Sequence, residues 1–132
     1  MATIFSRIID GELPGRFVYR DDRCVAFMSI NPLATGHTLV VPIDEVDHWI
    51  DLDDDLAAHL MLVAKRVGNA QEQVFSPIKV GLMVAGLEVP HVHLHVVPIS
   101  GVHDLDFANA DPNPDPEALD QAAEALRAAI EA

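Results

Sequence analysis

The chain has a single cysteine, Cys24, among its 132 residues. One cysteine excludes an internal disulfide and a zinc site built from several thiolates, so we expect a buried thiol in a reducing compartment, the cytoplasm. No apolar run approaches the roughly 18 residues of a membrane span, which predicts no membrane partner. The N-terminal stretch MATIFSRIIDGELPG also lacks the basic start and long apolar core of a signal peptide.

Basic residues are also scarce. Eight lysines and arginines stand against 21 aspartates and glutamates, which gives a formal net charge of −13. The negative electrostatic field of such a chain repels the phosphate backbone of a nucleic acid. We therefore expect no nucleic-acid polymer as a partner. Half of the residues are hydrophobic, which is enough to build the core of one domain over residues 1–132.

Hydrophobic periodicity predicts the first elements of this domain. Residues 3–10 have the spacing of a short helix with Thr3 as its cap. The stretch RFVYRDDRCVAFM predicts a hairpin that turns at Asp21 and Asp22. HTLVVP predicts a further strand, which His37 opens.

The second half of the chain begins with a long amphipathic helix over residues 56–75. We interpret the aspartates just before it, residues 53–55, as a cap that complements the helix dipole. IKVGLMV predicts another strand, the segment 100–116 is expected to be irregular, and a helix with Asp115 as its cap closes the chain. Strands adjacent in sequence around one central helix indicate an antiparallel α+β domain.

The stretch HVHLHVV, residues 91–97, holds three of the seven histidines. The valines and leucine between them and the prolines on either side favour a strand. Because side chains of a strand alternate between its faces, His91, His93 and His95 are expected on one face, with the apolar residues in the core. Such a row indicates a metal site, a catalytic site or an unusually polar surface strand.

Two of these alternatives are chemically specific. Zinc catalysis needs three protein ligands and an open position, and His37 would offer a further ligand, but no carboxylate lies on the strand to orient the rings. In the other alternative, a neutral imidazole attacks phosphorus while its neighbours fix its tautomer and assist the leaving group. A spacing of two residues places one ring on each side of the attacking ring, which suits phosphoryl or nucleotidyl transfer.

HVHLHVV matches the His-φ-His-φ-His-φ-φ signature, in which φ is apolar, of the histidine triad (HIT) family of nucleotide-binding hydrolases and transferases. IFSRIIDGELP, VAFMSINPLATGHTLVVP and the long helix resemble family segments in order and spacing. The resemblance covers about residues 3–98 and leaves an acidic loop and a helix at 99–132. It implies a homodimer whose HIT-like antiparallel sheet has about five strands, with one long central helix, a short N-terminal helix and a C-terminal helix.

The resemblance also implies a function, that of a nucleoside phosphoramidate or nucleotidyl hydrolase that binds a purine nucleotide without a metal or other cofactor. His93 is the implied nucleophile, which forms a nucleotidyl-histidine intermediate, and His95 assists the leaving group. His91 and His37 orient His93. For the apolar members of the implied nucleotide-binding set, plain core packing is the alternative interpretation. That set is Ile4, Phe5, Ile8, Phe27, Ser29, Ile30, Gly86 and Glu88.

Several positions depart from the family pattern. Ser29 stands where an acidic residue usually holds the ribose hydroxyls, and Leu87 stands where a glutamine usually contacts phosphate. The loop before the triad is shortened, and Ser6 replaces a cysteine that some members use to bind zinc. These changes keep a non-catalytic nucleotide-binding or regulatory dimer open as an alternative. A metal-dependent hydrolase that uses His37 and the triad is a further alternative.

Overall fold

The computed structural model describes residues 2–131, so the two end residues of the expected 1–132 domain lie outside the described part. Three helices and five strands form the domain. In chain order they are α1 (Ile4–Ile9), β1 (Phe17–Arg20), β2 (Cys24–Met28), β3 (Thr38–Pro42), α2 (Asp54–Phe75), β4 (Lys79–Met83), β5 (Leu94–Ile99) and α3 (Pro116–Glu131).

The five strands form one antiparallel sheet in the order β1-β2-β3-β5-β4. The predicted α+β class, with about five strands, a long central helix, a short N-terminal helix and a C-terminal helix, is therefore confirmed. Every residue of β2 and β3 is buried. These two strands lie inside the sheet and are covered on both faces, which explains why their sequences are almost continuously apolar.

The two faces of the sheet carry different layers. On β2, Cys24, Ala26 and Met28 belong to the larger core cluster under α2 and α3. Val25 and Phe27 point the other way, into a smaller cluster with α1. Because α1 has only six residues, it covers part of this second face and leaves room for a cavity beside it.

Helix α2 follows its predicted stripe, with Leu56, Leu60, Val63 and Val67 buried against the sheet. The predicted side-chain cap at the start of α2 is absent, because the Asp53 side chain makes no capping hydrogen bond. Two more aspartates occupy the first turn, so the attraction between their charges and the helix dipole is the contribution that remains. The caps predicted for α1 and α3 are present: Thr3 Oγ1 accepts from Ser6 N, and Asp115 Oδ1 accepts from Glu117 N.

The histidine stretch differs from the prediction at one end. Strand β5 begins at Leu94, so the expectation of a strand from residue 91 is wrong by three residues. The N–H of Val92 donates to the carbonyl of Val46 at 2.7 Å, so the loop after β3 holds this backbone instead of a neighbouring strand. The side chains still alternate, and Leu94 and Val96 lie in the core cluster under α2.

The segment after β5, expected to be irregular, contains two short 3-10 turns, Val102–Leu105 and Phe107–Asn109. It is tied to the loop before β3, because Asn31 Nδ2 donates to the carbonyl of Asp111 at 3.0 Å. The N–H of Asp111 in turn donates to the carbonyl of Pro32 at 3.0 Å. These bonds hold the segment beside the face of the sheet that α1 leaves open.

Candidate active site

A cavity of about 670 Å³ lies on the α1 face of the sheet. Phe27, Leu39 and His95 line it from three neighbouring strands, β2, β3 and β5. Helix α1 supplies apolar side chains on one side, and Phe107 of the second 3-10 turn supplies an aromatic ring on another. The segment after β5 therefore forms part of the cavity wall.

The predicted catalytic histidines are all buried in or next to this cavity, with exposed fractions of 5% or less. His37, His93 and His95 line it directly, and His91 lies behind His93. The rings of His93 and His95 are 4.8 Å apart between centroids in an edge-to-face arrangement. Phe5 makes a similar contact with His93 at 4.8 Å, so packing as well as hydrogen bonding fixes the ring planes.

The hydrogen bonds of His91 and His93 assign their tautomers. Nδ1 of His93 lies 2.8 Å from the carbonyl oxygen of His91 and must donate to it, which leaves a lone pair on Nε2. Nε2 of His91 donates in the same way to the carbonyl of Pro42 at 2.8 Å. In the neutral ring, Nδ1 of His91 then accepts from the hydroxyl of Thr3 at 2.7 Å. The helix cap of α1 therefore also holds the ring behind the predicted nucleophile.

A second chain of bonds orients His95. The N–H of Leu33 donates to Nδ1 of His37 at 3.0 Å, so the proton of a neutral His37 ring sits on Nε2. That nitrogen lies 2.9 Å from Nδ1 of His95 and donates to it. The proton of His95 is consequently on Nε2, which is buried and has no hydrogen-bond partner among residues 2–131. An unpaired buried donor on a ring that lines the cavity points to a ligand acceptor there.

Burial keeps these rings neutral near pH 7. It lowers the pKa of His37 to about 4, with a smaller contribution from His93. Burial, with the neighbouring rings of His37 and His93, lowers the pKa of His95 to about 3. Burial also lowers the pKa of His93, although the bond to the His91 carbonyl and the charge of Glu88 oppose the shift. A neutral imidazole is the form that can act as a nucleophile.

The same bonds argue against a metal site at the triad. Both ring nitrogens of His37 and of His91 are already in hydrogen bonds. Among the four predicted catalytic histidines in the described part of the chain, only Nε2 of His93 and Nε2 of His95 remain for a ligand, whereas catalytic zinc needs three protein ligands. Within the described residues, a different group, Asp21, Cys24 and His59, brings possible ligand atoms within 4.8 Å of one another.

That second group is held together by hydrogen bonds of its own. Asp21 accepts from the hydroxyl of Tyr19, from two backbone N–H groups and from Nε2 of His59 at 2.7 Å. Burial raises the pKa of the Cys24 thiol to about 12, so the sulfur is protonated and a poor metal ligand. This cluster therefore fixes the β1–β2 turn to α2.

Most of the predicted nucleotide-binding residues line the cavity, and one does not. The lining members are Ile4, Phe5, Ile8, Phe27, Ser29, Ile30 and Glu88. Phe5 and Phe27 are also buried in the smaller core cluster, whereas the side chains of Ile4 and Ile30 are largely exposed. Core packing and ligand contact are therefore combined in this set. Gly86 lies outside the lining, in a left-handed turn with a φ of +76°.

The departures from the family pattern take defined places. Ser29 lines the cavity, and its hydroxyl accepts from the N–H of Asn31 at 3.3 Å. Leu87 is 91% exposed and lies outside the lining. Ser6 and Thr3 both bond Glu45, Ser6 through its hydroxyl and Thr3 through its backbone N–H. A hydrogen-bonded network thus occupies the region behind His91.

Among the lining residues that the sequence did not predict, three carry a charge or an aromatic ring: Arg16, Phe107 and Asp120. Arg16 and Asp120 form an ion pair at the edge of the cavity, with 2.6 Å between Nε and Oδ1. Phe107 packs against His95 with 5.1 Å between ring centroids. Phe107 is the only Phe, Tyr or Trp in the polar segment 100–116, and that isolation was a usable signal. The partners of the ion pair are 104 positions apart, and nothing in the local pattern joins them.

Fold and site together define a class of protein: an antiparallel α+β domain that presents two neutral imidazoles of a histidine row to a largely apolar cavity. The sequence profile of the HIT domain matches residues 10–101. An uncharacterized HIT-like protein from Borreliella burgdorferi is 40% identical over 102 residues, which cover 72% of this chain and 73% of that protein. The chain therefore belongs to the HIT family.

Solved structures agree over nearly the whole chain. A Hit-like protein involved in cell-cycle regulation from Bartonella henselae is 30% identical, with a TM-score of 0.82 over 96% of this chain and 95% of its own. A hypothetical histidine triad nucleotide-binding protein from Sulfolobus tokodaii is 27% identical, with a TM-score of 0.85 over 96% of this chain and 91% of its own. The match extends past residue 98, so the C-terminal helix is part of the shared fold.

Proposed function

We propose that this protein is a nucleotide-binding hydrolase that cleaves a phosphorus–nitrogen or phosphoric anhydride bond through a nucleotidyl intermediate on His93. One observation carries the proposal. The bond from Nδ1 of His93 to the His91 carbonyl leaves the lone pair on Nε2, beside the unpaired N–H of His95. A nucleophile and a donor for the leaving group thus adjoin the same cavity.

The reaction has two balanced steps. In the first, Nε2 of His93 attacks phosphorus and the phosphorus–nitrogen bond breaks. The leaving nitrogen accepts the hydrogen bond of His95, takes up one proton from water in the cavity and departs as the amine. In the second step, water attacks phosphorus, the bond to His93 breaks, and the nucleoside monophosphate leaves while one proton returns to solvent. His93 regains its neutral form.

The test is the intact mass of the protein after rapid mixing with a purine nucleoside 5′-phosphoramidate. The quench is a neutral denaturant, because acid would hydrolyse a phosphohistidine. Wild type and His48→Ala, which removes an exposed histidine, should both gain one nucleotidyl group, and His93→Ala should gain none. Turnover without any adduct in the wild type would contradict a covalent intermediate.

A non-catalytic nucleotide-binding or regulatory dimer is the second candidate. It is favoured by the exposed Leu87 and by the place of Gly86 outside the lining, since both reduce the donors available to a phosphate. Losing one preorganised donor costs about 10²- to 10³-fold in rate. Tight binding of a nucleoside monophosphate with neither adduct nor turnover would select this candidate.

We also propose a homodimer. The outer face of α2 exposes Met61 and Leu62, and the edge strand β4 and its approach expose Leu82 and Ile78. Exposed apolar side chains on neighbouring elements are typical of a subunit interface. Sedimentation of Leu62→Glu should show monomers, whereas Val102→Glu, a matched change at another exposed position, should leave the dimer intact. A monomeric wild type would contradict the proposal.

A cytoplasmic location and a small-molecule partner complete the proposal. The free thiol of Cys24 is fully buried, which suits a reducing compartment. No helix among the described residues is long and apolar enough to cross a membrane. The net charge of −13 favours a nucleotide or nucleoside phosphoramidate over a nucleic-acid polymer.

A further inference from the structure

The ion pair of Arg16 and Asp120 lines the cavity on the β1 side of the sheet. Arg16 immediately precedes β1, and its carbonyl accepts from the N–H of Met28 at 3.0 Å, which fixes it at the β1 edge of the sheet. His95 lies on β5, three strands away in the order β1-β2-β3-β5-β4. At about 4.8 Å between neighbouring strands, the backbones at Arg16 and His95 are about 14 Å apart.

This separation suits a nucleotide. Arg16 and His95 both line the cavity, so the distance between their polar groups is shorter than the backbone separation, and we infer that an extended nucleoside monophosphate can bridge it. With phosphorus at His93, the ribose would lie near Ser29 and the base between the apolar side chains of Ile4, Ile8 and Ile30. The far edge of the base would then meet Arg16 and Asp120.

Among residues 2–131, the ion pair keeps further hydrogen-bonding groups without a partner. Arg16 contributes Nε to the pair and Asp120 contributes Oδ1, which leaves the terminal guanidinium N–H groups and Oδ2. Arg16 is the one Lys or Arg among the described residues that line the cavity, and the lining as a whole is largely apolar. A cation and an acceptor side by side form a polar recognition element in the wall of an apolar slot.

The pair is not needed to hold α3 in place. Ion pairs exposed to solvent contribute little to stability, and the Asp120 side chain is 66% exposed. Helix α3 is anchored independently by the buried Leu119 and Leu126 and by the bond from Arg127 Nη1 to the carbonyl of Phe17 at 2.8 Å. A role in ligand recognition therefore explains the placement of the pair better than fastening of the helix does.

The donor and acceptor pattern selects among purines. A 6-oxopurine presents a carbonyl oxygen next to a ring N–H, and guanine adds a 2-amino N–H. The guanidinium can donate to the carbonyl oxygen while the carboxylate accepts from the N–H groups, all as charge-assisted bonds. Adenine offers one amino donor and one ring nitrogen acceptor, so it can form one hydrogen bond fewer with the pair than guanine can.

We propose that Arg16 and Asp120 read the edge of the base and make this protein selective for guanine nucleotides over adenine nucleotides. The inference rests on the proposed function, because it requires a nucleotide in the cavity. The consequence is a substrate class, the 5′-phosphoramidates or anhydrides of guanosine.

The experiment is calorimetric titration of the full chain with GMP, AMP and XMP, which carries an oxygen in place of the 2-amino group. Wild type should bind GMP about tenfold more tightly than AMP, the size expected for one charge-assisted hydrogen bond. Asp120→Asn turns an acceptor into a donor, so it should lose that preference and bind XMP about tenfold more tightly than wild type does. Glu124→Gln removes the same charge one turn along α3, outside the cavity, and should behave as wild type.

Each outcome decides a different point. Gain of XMP binding in Asp120→Asn cannot come from damage to the fold and would support the inference. Equal binding of GMP and AMP by wild type, or an unchanged preference in Asp120→Asn, would overturn the inference while leaving nucleotide binding intact. Failure of all three nucleotides to bind would overturn the proposed function together with it.

Discussion

Nε2 of His37 lies 2.9 Å from Nδ1 of His95, although the two residues are 58 positions apart in the chain. His37 immediately precedes β3 and His95 lies on β5, and the pairing of Leu39 with His95 brings the two rings together. Because the N–H of Leu33 donates to Nδ1 of His37, the His37 proton is on Nε2 and is donated to Nδ1 of His95. The His95 proton is then on its own Nε2. The pair therefore presents an N–H, and not a lone pair, to the cavity.

The first prediction concerns the position of the proton on His95. His37→Phe keeps an aromatic ring but removes the donor to His95, so the His95 proton is free to move to Nδ1. We expect kcat for a phosphoramidate to fall about 10²-fold, the range for loss of one positioned hydrogen-bond donor to the reacting groups. The loss should grow as the leaving amine becomes more basic. Steady-state kinetics over a series of amines measures this.

The control for that series is His48→Phe, which changes an exposed histidine outside the cavity lining. It should leave kcat and its dependence on the amine unchanged. An equal loss for every amine in His37→Phe would mean that the residue supports only the fold of the site, and the assigned proton direction would then be wrong.

The second prediction concerns Thr3, whose hydroxyl bonds Nδ1 of His91 at 2.7 Å. Thr3→Val has nearly the same shape and lacks the hydroxyl, so the His91 ring loses its orienting donor. Since the His91 carbonyl accepts from His93, we expect kcat to fall about 10-fold, with KM little changed, as for other residues that orient a functional histidine. Thr3→Ser should restore kcat, and a Thr3→Val enzyme with wild-type kcat would refute the link.

The third prediction is a loss of stability in acid. The unfolded chain protonates its histidines below their ordinary pKa of about 6.5, whereas folded His37 and His95 resist protonation down to about 4 and about 3. The unfolded state therefore binds more protons, and the free energy of unfolding falls as pH falls from about 6.5 to about 4. Each such histidine adds a slope of up to about 1.4 kcal/mol per pH unit.

Urea unfolding between pH 7 and about pH 5 measures this slope, in a range above most carboxylate titrations. His95→Gln should reduce the slope of the free energy of unfolding against pH by up to about 1.4 kcal/mol per pH unit, the contribution of one proton. His48→Gln, which removes an exposed ring, should leave the slope as it is in wild type. A stability that does not change with pH over this range would show that the buried rings protonate without unfolding.

Much of the site could be predicted from the sequence because its signal is local. The alternation in HVHLHVV predicted which side chains share a face. The side chains do alternate, although β5 begins only at Leu94. Thr3 was predicted as a helix cap. Its second role, as donor to His91, was not predictable because it depends on a contact across 88 positions.

The remaining parts of the site depend on tertiary packing. The bond of Arg16 with Asp120 forms only because α3 packs beside β1, and no periodicity encodes that placement. Phe107 reaches His95 because Asn31 and Asp111 tie its segment to the loop before β3. Conversely, Gly86 was placed in the site by the family pattern, and the shortened loop carries it outside the lining.

The last prediction concerns Gly36, which has a φ of +93° just before His37. A Cβ built there would lie 2.3 Å from Cε2 of Phe75, so an alanine must displace the ring as well as adopt a left-handed backbone. The carbonyl of Gly36 also accepts from Thr38 Oγ1 and Gln71 Nε2. A shift of the Gly36 backbone would therefore also move the backbone of His37. We expect Gly36→Ala to lower both stability and kcat.

Gly11 supplies the matched control, because its φ is +85° and a Cβ there would meet nothing within 4 Å. Gly11→Ala therefore reports the backbone cost alone, and Gly36→Ala should lower the free energy of unfolding by about 1–3 kcal/mol more, the cost of overpacking. Adding Phe75→Leu to Gly36→Ala should recover part of that difference, because the smaller side chain relieves the contact. Urea unfolding of the four proteins tests this, and equal costs at Gly11 and Gly36 would show that Phe75 does not restrain the turn before His37.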